Sequence, residues 1–254
     1  MSDAARIVPS NPFEGPPYLV EWGNGGRTLP RRLVTSRRRS PDGPPSFDPL
    51  HLPTGPEEWP FDFCGHMHRL CASVVSRCAG LYHIDIDRLL ITAMQARTGR
   101  SSGLQARVTP MRFRDGALIR RHHGRDFQVQ RFRVDGREVL YLMSFCLPRF
   151  LDQSFFEKLI TVFHELYHIG PSFDGDLRRH AGRYEVHTHS QKDYDALMGA
   201  LARAYLTGGA DPALHAFLRL DFAQLQQKHG SVQGVVVPRP KLLPVPQAKS
   251  PTQY

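Results

Sequence analysis

Two histidines and a glutamate form the strongest chemical signal in the sequence. His164, Glu165 and His168 make the pattern His-Glu-x-x-His within Thr161–Gly170. Residues four positions apart in a helix project from one face, one turn apart, so both imidazoles can reach one metal ion. Glu165 stands beside the first histidine, where its carboxylate can hold a water that zinc activates. The spacing therefore predicts a catalytic zinc site with Glu165 as general base.

The helix that must carry this motif is well marked. Ser154 and Glu157 predict a capping box at its start, and Gly170 with Pro171 predicts its end. A core helix with two chance histidines is the alternative, but burying two imidazoles and a carboxylate without a ligand would be costly. An apolar stripe at helical spacing runs through the motif: Phe155, Phe156, Leu159, Ile160, Phe163 and Leu166.

A catalytic zinc usually has three protein ligands and a water, so the motif needs one more ligand. The segment after the helix offers His180, His187 and His189. We prefer His187, because a capped helix that starts near Ser190 should anchor its backbone. His180 lies next to two arginines, whose charges disfavour a nearby cation, although it stays an alternative together with His189.

Two known third-ligand patterns fit less well. The metzincin pattern would place a glycine three residues after the second histidine and a ligand three further on, where this chain has Pro171 and Asp174. A gluzincin would use a glutamate on a following helix, and Glu185 fits that position poorly.

The stretch HELYHIGPSFDGDLRRHAGRYEVHTHSQKDYDALM also resembles a family. It is similar to the predicted zinc metallopeptidases of archaea, bacteria and phages, with HELxHI, a DGxLR element and a later histidine near SQKxYD. More distantly it is similar to SprT-like zincins. The resemblance covers about residues 140–206. It implies a compact zincin with peptidase activity, in which His164 and His168 are zinc ligands, Glu165 is the general base and His187 is the third ligand.

Proline marks where the folded part of the chain should begin and end. Twelve of the 21 prolines lie in residues 1–60 and five lie beyond residue 237. Proline-rich, polar segments form cores poorly. We therefore expect a flexible Pro/Arg-rich segment at 1–60, a zincin-like metallopeptidase domain at 61–230 and a flexible tail at 231–254.

The expected fold is α+β and zincin-like: a small mixed β-sheet with the HExxH active-site helix against it, then C-terminal helices. A first helix is predicted at 63–79, with Asp62 as its cap. Strands are predicted at 88–97, 106–113, 128–134 and 137–145, the last two joined by a hairpin turn at Asp135-Gly136. The strand at 137–145 is apolar on both faces, so it should be central or well covered. Later helices should start near Ser190 and at Asp211-Pro212, the second ending at Gly230. The edge of a strand near the motif helix could bind substrate by strand addition.

Much of the net charge of +9 lies between residues 97 and 137. The acidic residues in this region are Asp115, Asp126 and Asp135. A solvated sheet face is the simplest interpretation, and weak, non-specific nucleic acid binding is the alternative. A second basic run at residues 31–39 has the same two interpretations. The region carries eleven arginines: Arg97, Arg100, Arg107, Arg112, Arg114, Arg120, Arg121, Arg125, Arg131, Arg133 and Arg137.

The remaining composition indicates a cytoplasmic protein without a membrane partner. No apolar run of signal-peptide or membrane-spanning length is present. Cys64, Cys71 and Cys78 recur every seven residues and Cys146 stands alone, so all four are expected to be reduced, the first three along one helix face.

The predicted function is zinc-dependent hydrolysis of peptide bonds in a peptide or protein substrate. Glu165 would take the proton of the zinc-activated water and pass it to the leaving amine. Tyr184, Tyr194 or His180 could donate to the oxyanion.

Two alternative functions remain open. One is a nucleic-acid-associated, SprT-like protease, and the other is a non-catalytic module with structural zinc, which would have no need of a base.

Overall fold

The chain folds into a mixed α+β structure, seen in a computed structural model that describes residues 18–23, 32–35, 46–47, 60–96, 103–134, 136–179 and 191–245. Residues 18–19, 32–35, 46–47 and 191–193 are described by their backbone alone. The helices in these ranges are α1 (Phe63–Arg77), α2 (Phe155–Tyr167), α3 (Gln191–Thr207), α4 (Pro212–His215) and α5 (Phe222–His229).

The strands in the same ranges form four small sheets. They are β1 (Tyr18–Gly23), β2 (Arg32–Thr35), β3 (Ser46–Phe47), β4 (Phe61–Asp62), β5 (Leu89–Gln95), β6 (Ala106–Pro110), β7 (Ile119–His122), β8 (Arg125–Val129), β9 (Arg133–Val134), β10 (Arg137–Glu138), β11 (Tyr141–Leu147), β12 (Ser231–Val236) and β13 (Leu242–Pro244).

The sheet that lies under the motif helix has the order β5-β11-β6. Strand β11 pairs in parallel with β5 and antiparallel with β6, with Met143 opposite Val108. Every residue of β11 is buried, which confirms the prediction of a central, covered strand. Strand β6 forms one edge of this sheet, and α2 packs against it.

A second sheet, β2-β1-β12-β4, contains strands from segments that the sequence predicts to be flexible. Strand β12, beyond residue 230, lies between β1 and β4, and β1 lies within residues 1–60. Trp22 and Val232 are buried, and the Trp22 indole donates to the Gln95 side chain on β5. These apolar side chains close the core, so the folded part extends past both predicted boundaries.

Two other predictions differ from the structure. The predicted strand at 128–134 is divided between the end of β8 and β9, and the predicted strand at 137–145 begins as β10, which pairs with β9 in a hairpin. The predicted helix between Asp211 and Gly230 is three pieces: α4, a 3-10 helix at Ala216–Arg219 and α5. The last piece is separate because Asp221 and Gln224 form a new capping box there.

Helix α1 agrees with its prediction. Asp62 accepts the Gly65 N–H and caps its start, and the helix packs on β5 and β12. Cys64 and Cys71 are buried free thiols, and the Val235 N–H of β12 donates to Sγ of Cys64.

Two sets of contacts fix the first turn of helix α2. Ser154 and Glu157 form the predicted capping box. The buried Lys158 then donates to the carbonyl oxygens of Leu218 and Leu220 at 3.0 and 2.8 Å. Burial lowers the pKa of Lys158 to about 8, although the carboxylates of two nearby aspartates oppose the shift.

We expect the free energy of unfolding to depend on pH through Lys158. Its pKa is about 8 in the folded chain and close to the ordinary 10.5 in the unfolded chain. The unfolded chain therefore binds more protons between these values, so stability should rise with pH across this window and be lost as the pH falls toward 8. In Lys158→Met this rise should be absent.

Urea denaturation of both proteins at several pH values across this window gives the two slopes. The Met side chain also leaves two carbonyls without their donor, so only the difference in slope is diagnostic. Parallel curves would mean that Lys158 titrates normally in the folded protein.

Candidate metal centre

The histidine pair lies at the C-terminal end of α2. His164 is in its last turn and His168 is its C-cap residue. The two rings are 4.6 Å apart between centroids, and both lie on one side of the helix. His168 is buried, whereas the His164 side chain keeps about 19% of its surface exposed. The pair is therefore arranged as two ligands of one metal ion can be, with access from solvent on the His164 side.

Glu165 lies beside the pair and points to the sheet. It is buried, and the backbone N–H of Val108 donates a hydrogen bond to its carboxylate. Val108 is in the edge strand β6, so this N–H points away from β11. Burial raises the pKa of Glu165 to about 7, and the Val108 hydrogen bond limits the rise. A divalent cation at the histidine pair would favour the carboxylate form further.

Helix α3 brings two more polar side chains to the pair. The Tyr194 ring lies 4.9 Å from the His164 ring and 5.9 Å from the His168 ring, between centroids. Burial raises the pKa of Tyr194, with Glu165 adding to the shift, so its hydroxyl keeps its proton at neutral pH. An Asp195 carboxylate oxygen lies 3.9 Å from Nδ1 of His164. This distance is longer than a hydrogen bond, so the carboxylate acts on the imidazole through its charge, which favours a cation at the pair.

The segment after α2 satisfies the carbonyl groups at the helix end. Arg178 donates twice, from its backbone N–H to the His168 carbonyl at 2.7 Å and from Nε to the Tyr167 carbonyl at 2.8 Å. Its guanidinium also lies over the Tyr167 ring at 4.2 Å. The Gly170 N–H donates to the Asp176 carbonyl. The last turn of α2 therefore depends on residues 174–178, the DGxLR element of the sequence.

That element is in turn attached to the sheet. The hydroxyl of Tyr141, on β11, accepts the Gly175 N–H at 3.0 Å and donates to the Asp176 carbonyl at 2.8 Å. The Asp176 side chain pairs with Arg179 at 3.0 Å and accepts the Asp115 N–H. Gly175 has a φ of 95° against the Arg112 side chain, where a Cβ would collide, so glycine is required there.

The residues predicted as a third ligand lie outside the part of the chain that the structure describes. Within the described part, no group of three His, Cys, Asp or Glu side chains could hold a metal ion. The preferred His187, the alternatives His180 and His189, and Glu185 all lie in residues 180–190, outside the described part. The described residues therefore provide two candidate zinc ligands, His164 and His168. Asp176 pairs with Arg179, so the positive charge of one of the two arginines next to His180 is compensated.

Sequence reasoning missed Asp195, Val108 and Tyr141 as contributors to this site, and it did not single out Tyr194. Tyr194 is named only as one of three oxyanion donors, and Asp195 is not named at all, although both are the last letters of the SQKxYD element. Val108 acts through its backbone, which carries no signal in the side-chain pattern. Tyr141 is expected only as a strand residue, because its partners lie more than 30 positions away.

Removal of the Tyr141 hydroxyl should destabilise the helix end. Tyr141→Phe leaves the buried Gly175 N–H without its acceptor, and we expect the free energy of unfolding to fall by about 1–3 kcal/mol. Urea denaturation measures the change. Tyr82→Phe is the matched control, because Tyr82 is 63% exposed and should lose almost nothing. Equal losses in the two variants would contradict the assigned role of Tyr141.

In the part of the chain that the structure describes, no helix has the length and apolar character needed to cross a membrane. No protein-family model, curated protein or solved structure matches this chain.

Proposed function

We propose that this protein is a zinc-dependent metallopeptidase with a zincin-like fold. The observation that carries the proposal is the placement of Glu165, which lies next to the histidine pair on α2 and against the edge strand β6. A buried carboxylate beside two imidazoles is expensive unless a ligand or a reaction uses it. A core helix gains nothing from this arrangement, and a structural zinc site needs no base.

His164 and His168 would hold the zinc, with His187 as the proposed third ligand. When bound, zinc activates a water molecule and polarises the scissile carbonyl. Glu165 accepts the proton of that water and delivers it to the leaving amine. Burial raises its pKa in the metal-free protein, and a bound cation would lower that pKa again, so Glu165 would be a carboxylate able to accept the proton when zinc is present.

Tyr194 is the proposed donor to the oxyanion. Of the three candidates, Tyr184 and His180 lie outside the described residues, whereas Tyr194 lies beside both imidazoles. Its raised pKa keeps the phenol protonated, as a hydrogen-bond donor must be. A donor aimed at the position where negative charge develops stabilises the transition state more than the substrate.

The position of β6 supports a peptide as the substrate. Its Val108 N–H is directed at Glu165, so an edge of the sheet runs past the proposed base. Glu165 already accepts the Val108 N–H, so an extended peptide would pair with the neighbouring main-chain groups of this edge, which would bring its scissile bond to Glu165.

Exchange of the base should separate metal binding from hydrolysis. Glu165→Gln keeps nearly the same shape but cannot accept a proton, so zinc should stay at about one ion per chain while casein cleavage disappears. Elemental analysis and a casein-digestion assay measure the two quantities on the same preparation. His164→Ala is the matched control, and it should lose both zinc and activity.

Hydrolysis that survives Glu165→Gln would remove Glu165 as the base. A protein that contains no zinc after isolation and takes up none on reconstitution would overturn the proposed function altogether.

Exchange of the candidate third ligands should identify the one that binds zinc. We expect His187→Ala to weaken zinc binding at least tenfold, because a catalytic site has lost one of three protein ligands. His180→Ala and His189→Ala should weaken zinc binding less, and they serve as controls for His187→Ala. Zinc titrations with a competing chelator measure all three. Loss of zinc in His180→Ala but not in His187→Ala would move the assignment to His180.

A further inference from the structure

A cleft of about 500 Å³ lies between the end of α1 and helix α3. This volume is typical of pockets that hold a small ligand or a side chain of a partner, which range from roughly 300 to 1,000 Å³. Its lining combines large apolar side chains with small residues that leave space between the walls: Leu81, Leu197, Leu201, Gly80, Ala204 and Gly208. We call it the α1–α3 cleft.

The α1–α3 cleft begins beside the candidate metal centre. Tyr167 forms part of its wall and directly precedes His168 in the chain. The Tyr167 ring lies 5.9 Å from the Tyr194 ring, between centroids, and Tyr194 in turn contacts both imidazoles. Leu197, which follows Tyr194 by about one turn of α3, lines the cleft and is 43% exposed. The cleft and the histidine pair are therefore neighbours.

The histidine pair lies between this cleft and the edge of the sheet. Glu165 and Tyr167 are two positions apart, and such residues project from nearly opposite sides of a helix. Glu165 faces Val108 on β6, whereas Tyr167 faces α3 and the cleft. An extended peptide alternates its side chains between two sides. A peptide held along β6 would therefore direct a side chain next to its scissile bond across the histidine pair and toward the cleft.

The charges around the cleft select against basic side chains. Among the described residues that line it, the charged one is Arg77, whose Nη1 donates to the Gly208 carbonyl at 3.3 Å. At the end near the histidines, the Arg178 guanidinium lies 4.2 Å from the Tyr167 ring centroid. A lysine or arginine of a substrate would meet these two cations and would exchange water for apolar walls, and both effects are unfavourable.

We propose that the α1–α3 cleft is the specificity subsite of the peptidase and takes a large apolar side chain, such as phenylalanine, leucine or methionine, next to the scissile bond. This inference rests on the proposed function and adds the class of peptide bond that is cleaved. Leu197 determines the specificity most directly, because it stands in the part of the cleft that is nearest to Tyr194.

Mass spectrometry of casein fragments tests the inference on the zinc-loaded wild-type protein. We expect bonds next to large apolar residues to be cleaved at least about tenfold more often than bonds next to lysine or arginine, after correction for their frequency in casein. Leu197→Glu places a carboxylate in the cleft and should reduce this ratio at least about tenfold, because a basic side chain now gains a partner there.

Leu242→Glu is the matched control, because it makes the same exchange at a 50% exposed residue of β13, outside the cleft. Its ratio should stay within about threefold of the wild type. Thermal melting of both variants checks that they remain folded, as the exposure of the two leucines leads us to expect.

A binding measurement keeps the cleft separate from turnover. Two labelled, alanine-rich peptides of about ten residues differ in one central residue, which is phenylalanine in one and lysine in the other. Fluorescence anisotropy measures their binding to zinc-loaded Glu165→Gln, with and without Leu197→Glu. The phenylalanine peptide should bind more tightly, and Leu197→Glu should remove this preference.

The two measurements distinguish failure of this inference from failure of the proposed function. Casein cleavage without apolar preference, or equal ratios in Leu197→Glu and Leu242→Glu, would overturn the subsite while the peptidase stands. A protein that leaves casein intact but still prefers the phenylalanine peptide through Leu197 would not be a peptidase, and the cleft would stand as a peptide-binding site. Loss of both cleavage and binding preference would overturn both.

Discussion

The C-terminal end of α2 lies against the protein, so its last carbonyl groups must find donors there. A helix end leaves four carbonyls without partners in the helix itself. Arg178 supplies two donors, to Tyr167 and to His168, and so fixes the turn that carries both histidines. The position of Arg178 depends on the DGxLR segment, and that segment is attached to β11 by the Tyr141 hydroxyl. The geometry of the histidine pair is therefore set by the central strand of the sheet.

Helix α2 also buries more ionisable side chains than its apolar stripe suggests. Lys158, Glu165 and His168 are all buried on or next to it. Lys158 is satisfied by backbone carbonyls and Glu165 by the Val108 N–H, whereas the His168 ring stacks on Tyr194. Buried ionisable groups rarely add to stability. Lys158 attaches the helix to the chain before α5, and the two site residues are explained by the proposed chemistry.

Local signals in the sequence predict local structure well in this protein. The capping box of Ser154 and Glu157, the Asp62 cap and the covered strand β11 all depend on residues close in sequence, and the structure contains each of them. Element ends were less predictable, because Asp221 starts a new helix inside a continuous apolar pattern.

Non-local pairings could not be predicted in the same way. Strands β1 and β12 stand in proline-rich surroundings, and they are strands because they pair with each other and because β12 packs on β5. The approach of Tyr194 and Asp195 to the histidines likewise depends on how α3 packs on α2. The His123-Gly124 turn lacks the Asn-Gly or Asp-Gly signature of type I′ hairpins, so β7 was not recognised. The third ligand lies in a segment with several histidines at similar distances, where spacing alone does not decide.

The place of β12 in its sheet has a consequence for the order of folding. This strand lies between β1, near the start of the chain, and β4, which directly precedes α1. Ribosomes make it after all five described helices. Until it is made, β1 and β4 have no strand to join them, and the Cys64 side of α1 lacks its Val235 partner. Contacts between such distant residues slow folding, because a long loop must close before they form. The helix that carries the histidines is thus synthesised well before the core around it can be completed.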